Sequence, residues 1–248
     1  MKKVFLSANI LLIAAVLLGD FCYYFVGTIL MKGIVSFGFV LLAIINLIYA
    51  IRIKASNLKY PALMVAGAIF AMLGDILLSP LFVLGAASFA IGHIFFMFGY
   101  CTLIKFRLRN LIPSICIFIP PFLLMTLAPI FNYGSFFMEM LCITYAAIIC
   151  LMVGKAISNF IQHKQVLYGV ILAGSILFYT SDLMLLLHVF CGAPEITDIL
   201  CIGTYYPAQC LLAHSLYHAA TPQFVTVTEF VNHKATITET DITKQKIS

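Results

Sequence analysis

The sequence predicts an all-α, polytopic membrane protein of about eight transmembrane helices, with both termini cytoplasmic. Three observations carry that expectation. Of 248 residues, 63% are apolar and only 9% are charged, for a mean hydropathy of +1.11; an ordinary soluble domain carries roughly 25% charged residues. The apolar residues fall in runs of helix-spanning length, about 20 residues, not in the alternating segments of about ten residues that a membrane β-barrel needs. The basic residues gather in alternate connections. The same composition excludes a disordered chain, which requires low hydrophobicity and high charge.

The runs lie near 4–25, 33–51, 61–79, 82–104, 111–130, 136–154, 167–190 and 199–220. The first follows Lys2 and Lys3, as a secretion signal would. It is too long for one, and it ends in Asp20-Phe21-Cys22-Tyr23, bulky where a cleavage site requires small residues. An uncleaved helix is expected. The remaining seven runs are joined by short connections. One set of connections receives Lys2 and Lys3; Arg52, Lys54 and Lys59; Lys105, Arg107 and Arg109; Lys155 and Lys164; and Lys234, Lys244 and Lys246. The other receives Lys32 alone, so the positive-inside rule puts both termini in the cytoplasm. Residues 1–221 form one transmembrane domain, and the Thr-rich residues 222–248 are expected to be a mobile cytoplasmic tail. The chain is thus expected to be an integral, multi-pass membrane protein with membrane lipids for neighbours.

Several functional classes drop out. The net charge of +5 is not arranged as a basic stripe with interleaved aromatics, so no nucleic-acid partner is expected. Six of the eight cysteines lie in apolar runs and act as small hydrophobes. Cys191 and Cys201 flank a short loop and could pair in an oxidising compartment. No CxxC spacing suggests a zinc ribbon. His214 and His218, four apart on one helical face, have no acid nearby. A retinal photoreceptor needs a lysine deep in the last helices, and runs seven and eight contain none.

The residues that cost a membrane fold most are more informative. An Asp at a helix centre costs roughly 2.5–3.5 kcal/mol on insertion scales. Three of the nine acids, Asp20, Asp75 and Asp182, lie inside runs one, three and seven. All three runs point the same way. At 1.5 Å per residue, Asp20 and Asp75 lie about 7 Å, and Asp182 about 12 Å, inside the outer helix ends. Asp20 is read as a structural hydrogen-bonding residue. Asp75 and Asp182 are the candidate functional pair. His93 near the middle of run four, Lys32 at the outer end of run two, and Tyr205, Tyr206 and Gln209 in run eight add polar groups at similar depth. Gly67, Ala71, Gly74, Gly174 and Ser175 are small and allow close helix approach. Ser175, Phe178 and Asp182 share one face.

At these positions the chain resembles the YhhN-like lysoplasmalogenases. Ala71-Met-Leu-Gly-Asp75-Ile-Leu-Leu is similar to the family's GDxxL helix. Gly85, Phe89, Gly92-His93 and Tyr100 resemble its G…F…H…Y helix. Gly174-Ser-Ile-Leu-Phe178-Tyr-Thr-Ser181-Asp182 resembles its G…LF..SD helix, and Tyr205-Tyr206-Pro-Ala-Gln209 its YYxxQ helix. Tyr145 and Met152 fit a weaker pattern between them. Lys32-Gly33 departs from the family's Lys-Pro, and Asp20 matches no family motif. The resemblance implies an eight-helix membrane hydrolase that opens the vinyl ether of a lysophospholipid substrate, lysoplasmalogen, to a fatty aldehyde and a glycerophospho-alcohol.

A vinyl ether offers no carbonyl to a Ser or Cys nucleophile. It reacts when a proton is added to its outer alkene carbon, so acid–base chemistry by two carboxyls in a dry pocket suits it. The expected roles are Asp75 and Asp182 as the catalytic pair, and Lys32, His93, Ser181, Tyr205, Tyr206 and Gln209 as substrate-binding residues. Lys32 is expected to meet the lipid phosphate. No cofactor and no metal are expected, since only His93 lies at a depth where a multi-His zinc site of distantly similar lipid hydrolases would sit. The alternatives are a proton-coupled transporter and a non-catalytic lipid-binding protein.

Overall fold

The computed structural model describes residues 2–221, and the tail expected at 222–248 lies outside them. The described chain is eight long α-helices: α1 (Lys2–Val26), α2 (Ile29–Arg52), α3 (Lys59–Leu78), α4 (Phe82–Leu103), α5 (Leu111–Leu127), α6 (Phe136–Gln162), α7 (Val166–Cys191) and α8 (Ile196–Ala220). Seven of them are long and apolar enough to cross a membrane. The eighth, α8, is the exception because it faces protein. It touches α1, α2, α3 and α7, and it buries Tyr205, Tyr206, Gln209 and Ser215 within the bundle.

The start of α1 and the end of α8 lie at the same end of the bundle, as an even number of antiparallel helices requires. Phe5 and Tyr217 both pack on Tyr49 there. This end also carries the connections 53–58, 104–110 and 163–165, and we call it the terminal end. The opposite end carries 27–28, 79–81, 128–135 and 192–195.

Seven-residue spacing of small residues sets the closest helix pair. Gly67 and Gly74 on α3 face Gly92 and Gly85 on antiparallel α4. A Cβ on Gly67 would stand 3.1 Å from the Gly92 carbonyl oxygen, and one on Gly85 only 2.6 Å from the Leu78 backbone. The helices therefore approach backbone to backbone, as small residues permit in a membrane. On α7, a Cβ at Gly174 would stand 2.9 Å from the Leu212 side chain of α8.

Side-chain hydrogen bonds pin the rest. Asn9 and Asn46 exchange amide bonds of 2.8 Å, Asn46 also donates to the Ala213 carbonyl at 3.0 Å, and His214 Nδ1 lies 2.8 Å from Asn9 Oδ1. These bonds tie α1, which is otherwise mostly exposed, to α2 and α8. They also give His214 a structural partner in the protein.

The largest boundary difference from expectation is in run six. Run six was expected to end at 154, but α6 continues to Gln162. The continuation carries Lys155, Ser158 and Asn159, all buried. Asn159 donates to the Tyr100 carbonyl at 3.1 Å, and Lys155 Nζ reaches the Lys105 carbonyl at 3.3 Å and Asn110 Oδ1 at 3.4 Å. Protein partners let these polar residues stay helical and inside. Lys155 is thus not the solvent-facing loop cation that its charge suggested.

Candidate functional site

Asp75 and Asp182 line one polar cavity of about 320 Å³, between α1, α2, α3, α4, α7 and α8, at the end away from the termini. Their depths agree because α3 and α7 run the same way and each carries its Asp near that end. The two carboxylates have different surroundings.

Asp75 is buried and fully partnered. Lys32 Nζ lies 3.0 Å from its Oδ1. Ser36 donates to Oδ2 at 2.5 Å, and Tyr206 donates to the same oxygen at 2.9 Å. Lys32 and Ser36 stand four apart on α2, one turn on the same face, so both reach across to α3. Lys32 lines the cavity as expected of its position, and its ammonium is also paired with Asp75, with 12% of its side chain exposed. A buried carboxylate needs a cation more than the aqueous surface does.

Asp182 is met on one oxygen only. Tyr145 of α6 donates to Oδ2 at 2.7 Å, and His93 Nε2 of α4 lies 3.1 Å from the same atom. His93 Nε2 and Tyr145 Oη are 2.9 Å apart, closing a triangle. Among the described residues, Oδ1 of Asp182 makes no hydrogen bond. His93 is completely buried, its ring packs on Phe178 at 4.5 Å between centroids, and its Nδ1 has no partner. His93 therefore stands behind Asp182 instead of lining the cavity as a substrate-binding residue.

The other expected residues divide. Tyr205, Tyr206 and Ser181 do line the polar cavity. The hydroxyl of Tyr205 is turned away to the Ala71 carbonyl at 3.1 Å, so only its ring faces inward. Ser181 Oγ lies 3.5 Å from Cys201 Sγ. Gln209 is not among the cavity's lining. It is buried with neither amide atom hydrogen-bonded. Asp20 makes no hydrogen bond and no ion pair among the described residues, so the partner expected of a structural residue is not seen. Cys191 and Cys201 are both free thiols. No three His, Cys, Asp or Glu side chains converge among the described residues.

Four participants escaped sequence reading as site members. Ser36 sits one turn beyond Lys32, a spacing that could have flagged it. Tyr145 matched only the weaker family pattern. Asp198 and Cys201 line the mouth from the start of α8 and looked like loop residues.

The YhhN family model matches residues 34–216, which holds both carboxylates, His93, Tyr145 and the two tyrosines of α8. The chain belongs to the YhhN family. No curated protein and no solved structure matches it. Ser36, Asp75 and Asp182 thus fall within the family's matched segment, and Lys32 falls two residues before it.

Proposed function

We propose that this YhhN-family protein is a membrane hydrolase that cleaves the vinyl ether of a lysoplasmalogen to a fatty aldehyde and a glycerophospho-alcohol. The carrying observation is that two carboxylates line one cavity with opposite surroundings. Pairs of titratable groups in contrasting environments divide acid and base roles.

Asp75 takes the role of the ionised partner. The Lys32 ammonium and two hydroxyl donors compensate its negative charge, so it has no proton to give. Asp182 takes the role of the acid. Its Oδ2 accepts from Tyr145 and from the Nε2–H tautomer of His93, which leaves Oδ1 to carry a proton toward the cavity. The partnerless Nδ1 of His93 suits that neutral tautomer, since a second buried N–H would be an unsatisfied donor.

The reaction then balances in three steps. Asp182 transfers its proton to the outer alkene carbon, and the adjacent carbon becomes an oxocarbenium ion opposite the Asp75 carboxylate. Water adds to that carbon and gives its proton to the open oxygen of Asp182, now a carboxylate, while Asp75 stays ionised. The hemiacetal breaks its bond to the glycerol oxygen, which takes the Asp182 proton as it leaves, and the hemiacetal hydroxyl gives its own proton back to Asp182 as it becomes the aldehyde carbonyl. Across the cycle the protons return to Asp182 and one water is consumed.

With Lys32 paired to Asp75 and Asp182 in its proton-carrying form, Asp198 is left as the uncompensated carboxylate of the cavity wall. That balance favours a headgroup bearing an ammonium over one bearing only a phosphate. The lone Lys32 opposite the basic connections supports an orientation with both termini cytoplasmic and the cavity at the outer face.

The test is a screen of purified protein in nanodiscs against lyso-ether, lyso-vinyl-ether and lyso-ester lipids. Free aldehyde from the vinyl ether alone is expected. Free fatty acid from the ester would point to acyl chemistry. A pH-driven flux without product would point to a proton-coupled transporter.

A further inference from the structure

Beside the polar cavity lies a second one of different character. It is a narrow cleft of about 70 Å³ between α4, α5, α6 and α7. Cys142, Ala146 and Ile149 of α6, Pro121 of α5 and Leu186 of α7 line it, and its one charged wall residue is Asp182. The two cavities share Leu78, Phe82, Phe89, Asp182 and Leu185. Asp182 therefore stands where an apolar space meets a polar one.

The walls of the cleft explain how a chain could enter it. Positions 141 to 149 cover about 12 Å of the α6 axis. Of the other long helices, α5 brings its backbone close only to α6, so it forms an outer wall held mainly along one helix. Pro120 and Pro121 lie inside α5. Each proline removes a backbone hydrogen bond and weakens the helix locally.

We propose that this cleft is the hydrocarbon-chain site of a single-chain lipid whose headgroup occupies the polar cavity, with the bond to be cleaved at Asp182. The inference rests on the hydrolase reading for the position of the reacting bond. The occupant follows from continuity: one end of the ligand must be apolar, the other polar, and the switch falls at the acid. One apolar cleft opens on this headgroup space, at the wall that both share, which suits one hydrocarbon chain. Ala146 sets the room in the cleft, because a larger side chain there projects into the path of the chain.

The test uses a non-hydrolysable alkyl-ether lysophospholipid with a diazirine at the chain terminus, added to the full chain in nanodiscs and photolysed. Cross-links are expected in the peptides that hold residues 141–149 and Pro121. An unlabelled ether lysolipid should displace the probe, and excess diacyl phospholipid should not. Ala146→Phe should cut cross-linking and raise KM for long-chain substrate roughly tenfold or more, with a shorter chain less affected. Ala147→Phe, one position round the helix and outside the cleft, should change neither, and melting curves check that both variants fold. Cross-links confined to α1 and α2, or equal labelling by a diacyl probe, would overturn the proposal. Labelling does not need turnover, so the two ideas separate. Correct labelling without aldehyde release sinks the hydrolase reading alone, and aldehyde release with labelling elsewhere sinks the chain site alone.

Discussion

Asp75 and Asp182 occupy one cavity, one residue type and one depth, yet they are built differently. Asp75 is closed: a lysine, a serine and a tyrosine take both oxygens. Asp182 is half open: a histidine and a tyrosine converge on one oxygen and leave the other unbonded. The proposed division of roles between two identical side chains rests on this difference in surroundings. A buried carboxylate with a cation beside it is held as a fixed charge. A buried carboxyl backed by neutral donors on one atom can present a proton from the other.

The largest effect should separate the two by chemistry. Asp182→Asn keeps the shape and the acceptor for Tyr145 but has no transferable proton, so aldehyde release should fall by roughly 10²–10⁴. Lipid binding should survive, as measured by displacement of a labelled ether lysolipid. If the rate falls no more than a few-fold, Asp182 is not the acid.

The next effect should separate them by stability. Lys32→Ala strands Asp75 in the membrane and should cost about 3–5 kcal/mol. The double variant Lys32→Met with Asp75→Leu should regain much of that loss while staying inactive. Thermal melting in nanodiscs reads both. Equal melting of Lys32→Ala and the wild type would mean that the ion pair contributes nothing.

Removing single donors sharpens the comparison further. Tyr206→Phe deletes one bond to a charged oxygen and should cost about 1.5–3 kcal/mol, seen in melting as well as in rate. Tyr145→Phe should lower the rate about tenfold, from one lost bond of about 1 kcal/mol or slightly more to Asp182, with little change in melting. A larger stability loss for Tyr145→Phe than for Tyr206→Phe would reverse the assignment of the fixed and the working carboxylate.

Much of this was legible in the sequence, for physical reasons. Apolar runs report spans because lipid tolerates little else, so eight helices could be read. The end of α6 was misread because Lys155 and Asn159 look like loop residues until their partners on α4 and in the 104–110 connection are seen. Asp75 and Asp182 stood out because an acid in a membrane is expensive. Ser36 and Tyr145 did not, since a serine or tyrosine costs little there and its hydrogen bond is set by a distant helix. The Lys32 charge is visible in the sequence, but its pairing with the carboxylate across the helix gap is not. Gln209 matched its motif, yet its amide meets no partner in the bundle and does not line the cavity.

In the proposed reaction Asp182 delivers a proton to carbon. Hydrolysis of a vinyl-ether lysolipid in D₂O, with the aldehyde trapped at once by reduction, tests this most directly. One deuterium on the carbon next to the former carbonyl is expected from the wild type, with product formation lost in Asp182→Asn. Aldehyde without deuterium at that carbon, or unchanged product formation by Asp182→Asn, would contradict it.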